Sequence, residues 1–150
     1  MAFKIRRWVG IFVLCAVVMS LPALAAADRF TDQVKLQLAQ AAVILGVGND
    51  FTLTHDPVVD SVRRGGTDSF TLTLRPGKSY AIVGVCDQDC RDIDLRLYDE
   101  NDNLIDSDME VEDHPLITVS PRWTAKFRIE VIMSGCSVSS CYYGIGVFGK

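Results

Sequence analysis

Asp92-Ile93-Asp94-Leu95-Arg96-Leu97-Tyr98 alternates polar and apolar side chains without a break. A period of two places Ile93, Leu95 and Leu97 on one face of an extended chain and Asp92, Asp94, Arg96 and Tyr98 on the other, the pattern of a half-buried β-strand. The same period recurs upstream, where Phe70, Leu72 and Leu74 alternate with Ser69, Thr71 and Thr73. It recurs downstream, where Phe127, Ile129 and Val131 alternate with Lys126, Arg128 and Glu130. Tyr80 to Cys86, Leu116 to Val119 and Tyr142 to Phe148 are further strand candidates. Turn signals separate them at Arg75-Pro76-Gly77, Asp99 to Asn103, His114-Pro115, Ser120-Pro121 and Ser134-Gly135. Many short strands at this spacing predict an all-β, antiparallel sandwich or barrel.

Upstream of residue 50 the period is helical. Phe30, Val34, Leu38, Ala41 and Leu45 recur at intervals of three or four, with Asp32, Gln33, Lys35, Gln37 and Gln40 on the other side, which predicts an amphipathic helix over 29–46. Asp28 or Thr31 suits its start and Gly46 or Gly48 its end. Such a helix either covers an open edge or end of the sheet domain or docks on a partner, and packing supplies most of the stability of a lone helix. The organisation expected is therefore a signal peptide at 1–27, a helical arm at 28–48 and a β-sandwich at 49–150.

The signal reading rests on three parts in order: Lys4, Arg6 and Arg7 with no acid, an apolar run from Trp8 to Met19, and small residues through Ala23-Leu24-Ala25-Ala26-Ala27. Cleavage is expected after Ala25 or Ala27, with a periplasmic or secreted destination. The rival reading is a membrane anchor. Gly10, Ser20 and Pro22 interrupt the run, which falls short of the roughly 20 residues a spanning helix needs, so no stable anchor is expected after cleavage.

The whole chain carries 15 basic and 19 acidic residues. Removing 1–27 takes three bases and no acid, leaving twelve against nineteen and a formal charge of −7. Such a balance speaks against nucleic acid, whose binding depends on clustered Lys and Arg, and suits a basic protein or a divalent cation better. Cys86, Cys90, Cys136 and Cys141 form two local pairs, which in an oxidising compartment read as disulfides. Neighbour pairing is the simplest of three possible connectivities. Each short loop would contribute about 2 kcal/mol by restricting the unfolded chain.

In its order of landmarks, the chain from about Phe70 to Lys150 resembles the bacterial pre-peptidase C-terminal domain. The residues that carry the resemblance are Tyr80 opening a strand that ends in Cys86-Asp87, the run Asp92 to Asp99, and the turn through Asn101 and Asn103. Pro115, Pro121, the strand Phe127 to Val131 and Cys141-Tyr142-Tyr143-Gly144 follow. The resemblance implies a jelly-roll β-sandwich, a non-catalytic module linked with calcium or extracellular-matrix binding. Two positions depart from the family: Asp102 and Ala125 stand where it usually has Gly. No peptidase domain precedes the module in this chain, so the role of peptidase appendage does not carry over.

The acidic stretch holds the candidate metal ligands. Asp87, Asp89, Asp92 and Asp94 bracket the first cysteine loop, and Asp99 and Asn101 follow in the next turn. Calcium takes six to eight hard oxygens, which closely spaced carboxylates and amides supply. Asp99, Asn101, Asn103 and Glu110 match four ligand positions of a helix-loop-helix calcium loop, but Leu104 stands where that loop needs Gly and Asp106 where it needs an apolar anchor. The competing reading is solvated turn carboxylates. For a glycan, the available stacking surfaces are Tyr98, Trp123 and Tyr142. His55 and His114 each stand in an expected loop without a nucleophile motif, so the expectation is a binding module and not an enzyme. The alternatives carried forward are an acidic partner or inhibitor of a basic exported protein, and a carbohydrate-binding module.

Overall fold

A computed structural model describes residues 24–44, 46 and 50–150. The segment read as an export signal lies outside the described residues up to residue 23. The helix α1 runs Leu24–Ile44, starting earlier and stopping sooner than the periodicity suggests. Alanine-rich 25–27 favours the extra turn at the start. At the other end Gly46 takes a left-handed conformation (φ 73°) and its N–H donates to the Val43 carbonyl, a terminus that glycine fits without strain.

Nine strands follow: β1 (Thr52–Leu53), β2 (Val58–Arg63), β3 (Thr67–Leu74), β4 (Tyr80–Cys86), β5 (Cys90–Tyr98), β6 (Leu104–Asp108), β7 (Leu116–Val119), β8 (Ala125–Cys136) and β9 (Ser140–Gly149). Every pairing between them is antiparallel. One sheet has the order β9–β4–β7, with β1 and β2 sharing the far edge of β9; the other has the order β3–β8–β5–β6. The two sheets face each other, and the described residues form an all-β sandwich with one helix.

Alternation explains the core directly. Leu74, Ile93, Leu95, Leu97, Ile129 and Val131 are buried from one sheet and meet Ile82, Ile117, Tyr143 and Ile145 from the other. At about 25 cal/mol per Å2 of apolar surface removed from water, such a shared interior is the main stabilising term. Tyr143 is the largest of these side chains, and its hydroxyl donates to Asp68 Oδ2 (2.6 Å), so a buried phenol is satisfied across the two sheets.

The arm covers a sheet face, not an edge or end. Val34, Leu38, Ala41 and Ala42 pack on Ala81, Val83, Val85 and Phe148, the outward residues of β4 and β9. Gly144 makes this close approach possible: a Cβ there would lie 2.0 Å from Val34 Cγ1. Beside it, a Cβ at Gly146 would come within 3.2 Å of Leu38. β4 is consequently buried along its whole length, with the core on one side and the helix on the other.

The cysteines pair as neighbours, Cys86 with Cys90 and Cys136 with Cys141. Both bridges lie at one end of the sandwich, where Cys90 faces Cys136 across the β5–β8 ladder. Two disulfides suit an oxidising, extracellular-type environment. Among the described residues no helix is long and apolar enough to cross a membrane.

Candidate functional site

The acidic residues are largely occupied by the fold itself. Asp87 Oδ1 accepts the N–H groups of Asp89 (3.1 Å) and Cys90 (3.2 Å), while Oδ2 accepts that of Tyr142 (2.7 Å). The Asp89 carbonyl accepts the Ser137 N–H (2.8 Å), so the two cysteine loops are stitched side by side. Asp94 is 4 % exposed and accepts a hydrogen bond from Ser134 Oγ. It points away from the core, as alternation requires, yet is covered and not open to solvent. Asp92 Oδ1 beside it is buried without a hydrogen-bond partner among the described residues. Burial and the neighbouring Asp94 charge together raise the Asp92 pKa above its ordinary value.

At the opposite end of β5, Asp99 organises the hairpin turn. It accepts hydrogen bonds from the Asn103 amide Nδ2 (2.9 Å) and from the backbone N–H groups of Asn103 (2.9 Å) and Asn101 (2.8 Å), which hold its carboxyl below the usual carboxylate range. Asp102 has φ 61°, the left-handed position of this turn, and its Oδ1 accepts from Arg128 Nη2 (2.9 Å) and Nε (3.2 Å). Two further acids close the sandwich at the β6–β7 edge, where Asp106 Oδ2 accepts the Thr118 N–H (3.1 Å) and Asp108 Oδ2 the Leu116 N–H (2.9 Å). These bonds satisfy donors that an edge strand otherwise leaves exposed.

The six expected metal ligands therefore fall into separate groups. Asp87, Asp89, Asp92 and Asp94 belong to the disulfide end, and Asp99 and Asn101 to the other. Calcium would need donors converging within about 2.3–2.6 Å. Asp87 and Asp99 instead spend their oxygens on local N–H groups, and among the described residues no group of three or more His, Cys, Asp or Glu is arranged to hold a metal ion.

The three expected stacking residues also part company. Tyr98 carries the Arg128 guanidinium 4.0 Å from its ring centroid, and its hydroxyl donates to Glu130 Oε2 (3.3 Å). Arg96 joins the same carboxylate at 3.3 Å, so this patch on the outer face of the second sheet is a closed ionic network. Tyr142 sits at the disulfide end, beside Gln33, Asp87 and Ser140.

Trp123 is different: it is 61 % exposed and forms one wall of a cleft of about 190 Å3. Ile105, Val119, Pro121, Ala125 and Phe127 supply apolar walls and floor, while Glu100, Asn101 and Arg122 stand among its polar lining. The cleft forms where the β5–β6 turn meets the β7–β8 loop. Sequence reasoning singled out Trp123 but missed Ile105 and Phe127, because their convergence depends on packing between segments distant in the chain. A lone Trp in the loop that follows Ser120-Pro121 was the only local hint.

No family model and no curated protein matches the chain.

Proposed function

We propose that this protein is an exported, non-catalytic binding module of the jelly-roll kind that holds a partner through the Trp123 cleft. Strand orders β2–β9–β4–β7 and β3–β8–β5–β6 support the jelly-roll reading, since interleaved Greek keys of eight strands give such an arrangement. The resemblance to pre-peptidase C-terminal domains gains support from Asp102, which adopts the left-handed conformation where that family usually has Gly. Export is supported by the N-terminal signal pattern and by the two disulfides. Calcium bracing is not part of this reading, because Asp87, Asp94 and Asp99 already accept hydrogen bonds within the fold.

One observation carries the proposal: a largely exposed Trp stands over an apolar cleft, whereas the other large aromatics among the described residues are mostly buried or covered. At about 190 Å3 the cleft is smaller than the roughly 300–1,000 Å3 of drug-sized ligand sites, and suits one side chain of a partner protein. Ile105 on β6, itself exposed, adds apolar surface at the rim of the cleft. Aromatic anchors in such pockets dominate many protein interfaces.

The test is binding of wild type and Trp123→Ala to parallel peptide and glycan arrays. The proposal expects hits on peptides bearing a large apolar residue, weakened at least tenfold by the substitution. Trp123-dependent hits confined to glycans would move the ligand class to sugars. Identical patterns for the two proteins would contradict the site.

A further inference from the structure

A second concavity lies beside the β3–β4 turn, an open hollow of about 680 Å3. Its lining includes Arg75, Lys78, His55 and the residues Thr54, Thr71 and Thr73, with no carboxylate among them. In a protein of formal charge −7 after signal removal, this is a local reversal of sign. The side chains of Arg75 and Lys78 make no ion pair or hydrogen bond among the described residues, in contrast to Arg96 and Arg128, which are paired.

The walls are held in place. Gly77 at φ 81° turns the chain between the two cations, and the Arg75 N–H donates to the Tyr80 hydroxyl (3.2 Å). Tyr80 meets the His55 ring edge-on at 6.4 Å. His55 Nε2 lies 3.2 Å from the Thr73 carbonyl and Nδ1 lies 2.9 Å from Thr54 Oγ1, whose own hydrogen is given to the Val147 carbonyl (3.0 Å).

We infer that this hollow binds an oxyanion, a phosphate or sulfate group carried on a polar body such as a sugar. Arg75 supplies a planar fork that matches the oxygens of such a group, Lys78 a point charge, and the Thr71 and Thr73 hydroxyls donors for the body. The hollow has room for more than the bare ion. The site is separate from the Trp123 cleft and shares no residue with it.

The experiment is an amide NMR titration of the oxidised protein with inorganic phosphate and with glucose 6-phosphate, at ionic strength held constant with chloride. The expected result is saturable shifts centred on His55 and on residues 71–78, with a Kd of about 1 mM or tighter for the ester. The double variant Arg75→Gln, Lys78→Gln should keep the amide spectrum elsewhere and weaken binding about tenfold or more. Tighter binding of the ester than of bare phosphate identifies the polar body as part of the ligand, and equal binding identifies the oxyanion alone; both support the site. Shifts that do not saturate, that centre on other residues, or that survive in the double variant overturn it.

Discussion

At the residue scale the carboxylates are structural acceptors, and that has measurable consequences. Asp87 closes three N–H bonds that tie the β4–β5 loop to the start of β9. Asp87→Ala should therefore cost about 2 kcal/mol, the penalty of leaving partly buried donors unpaired, read as a lower urea midpoint at unchanged slope. Asp92 behaves in the opposite sense. Its pKa is raised in the folded state, so the fold holds that proton more tightly than the unfolded chain does. Stability is undiminished below the ordinary aspartate value and falls as pH rises through the raised one. Asp99, with its pKa lowered, adds stability above the ordinary value that is lost as pH falls. Asp92→Asn removes only the first effect. Its melting temperature should exceed wild type at pH 7, and the two should converge near about pH 3, where both forms of Asp92 are protonated. A variant less stable than wild type at pH 7 would show that the lone Oδ1 costs nothing.

Among the elements, β5 and β3 were legible because alternation is local: Ile93, Leu95 and Leu97 face the core as their spacing requires. β2 escaped notice, since Val58-Val59-Asp60-Ser61-Val62 lacks that alternation; Val59 turns to the helix while Val58 and Val62 turn to the core. The Asp106–Thr118 and Asp108–Leu116 bonds join two sheets at their edges, a tertiary fact that no residue pattern announces. Likewise Gly144 and Gly146 read as ordinary strand glycines until the helix is seen lying across them. Gly144→Val should lift α1 from the sheet, because its side chain would occupy the space of Val34. The expected outcome is a loss of about 1–3 kcal/mol and faster tryptic cleavage at Lys35, with the sandwich itself still protected. Unchanged cleavage would mean that the arm is held by something other than this seat.

Across the whole molecule, the resemblance raised calcium as an expectation, while Asp87, Asp99, Asp106 and Asp108 serve as a loop tie, a turn and an edge seal. Thermal unfolding of the oxidised protein should give the same midpoint in excess EDTA and in millimolar Ca2+. A rise of several degrees with metal would show that a cation binds the native state after all. The candidate site was legible only in part: an exposed loop Trp was visible in sequence, but the cleft beneath it exists because Ile105 of β6 and Phe127 of β8 are brought under that loop by the sandwich.

Trp123 and Trp8 are the two tryptophans of the chain, and Trp8 falls within the proposed signal. The intrinsic fluorescence of the processed protein then reports on the cleft alone. Titrating in the tightest peptide from the array should shift the emission to the blue and protect Trp123 from acrylamide quenching as the cleft fills. Emission and quenching that stay unchanged at saturating peptide would place binding elsewhere and contradict the account.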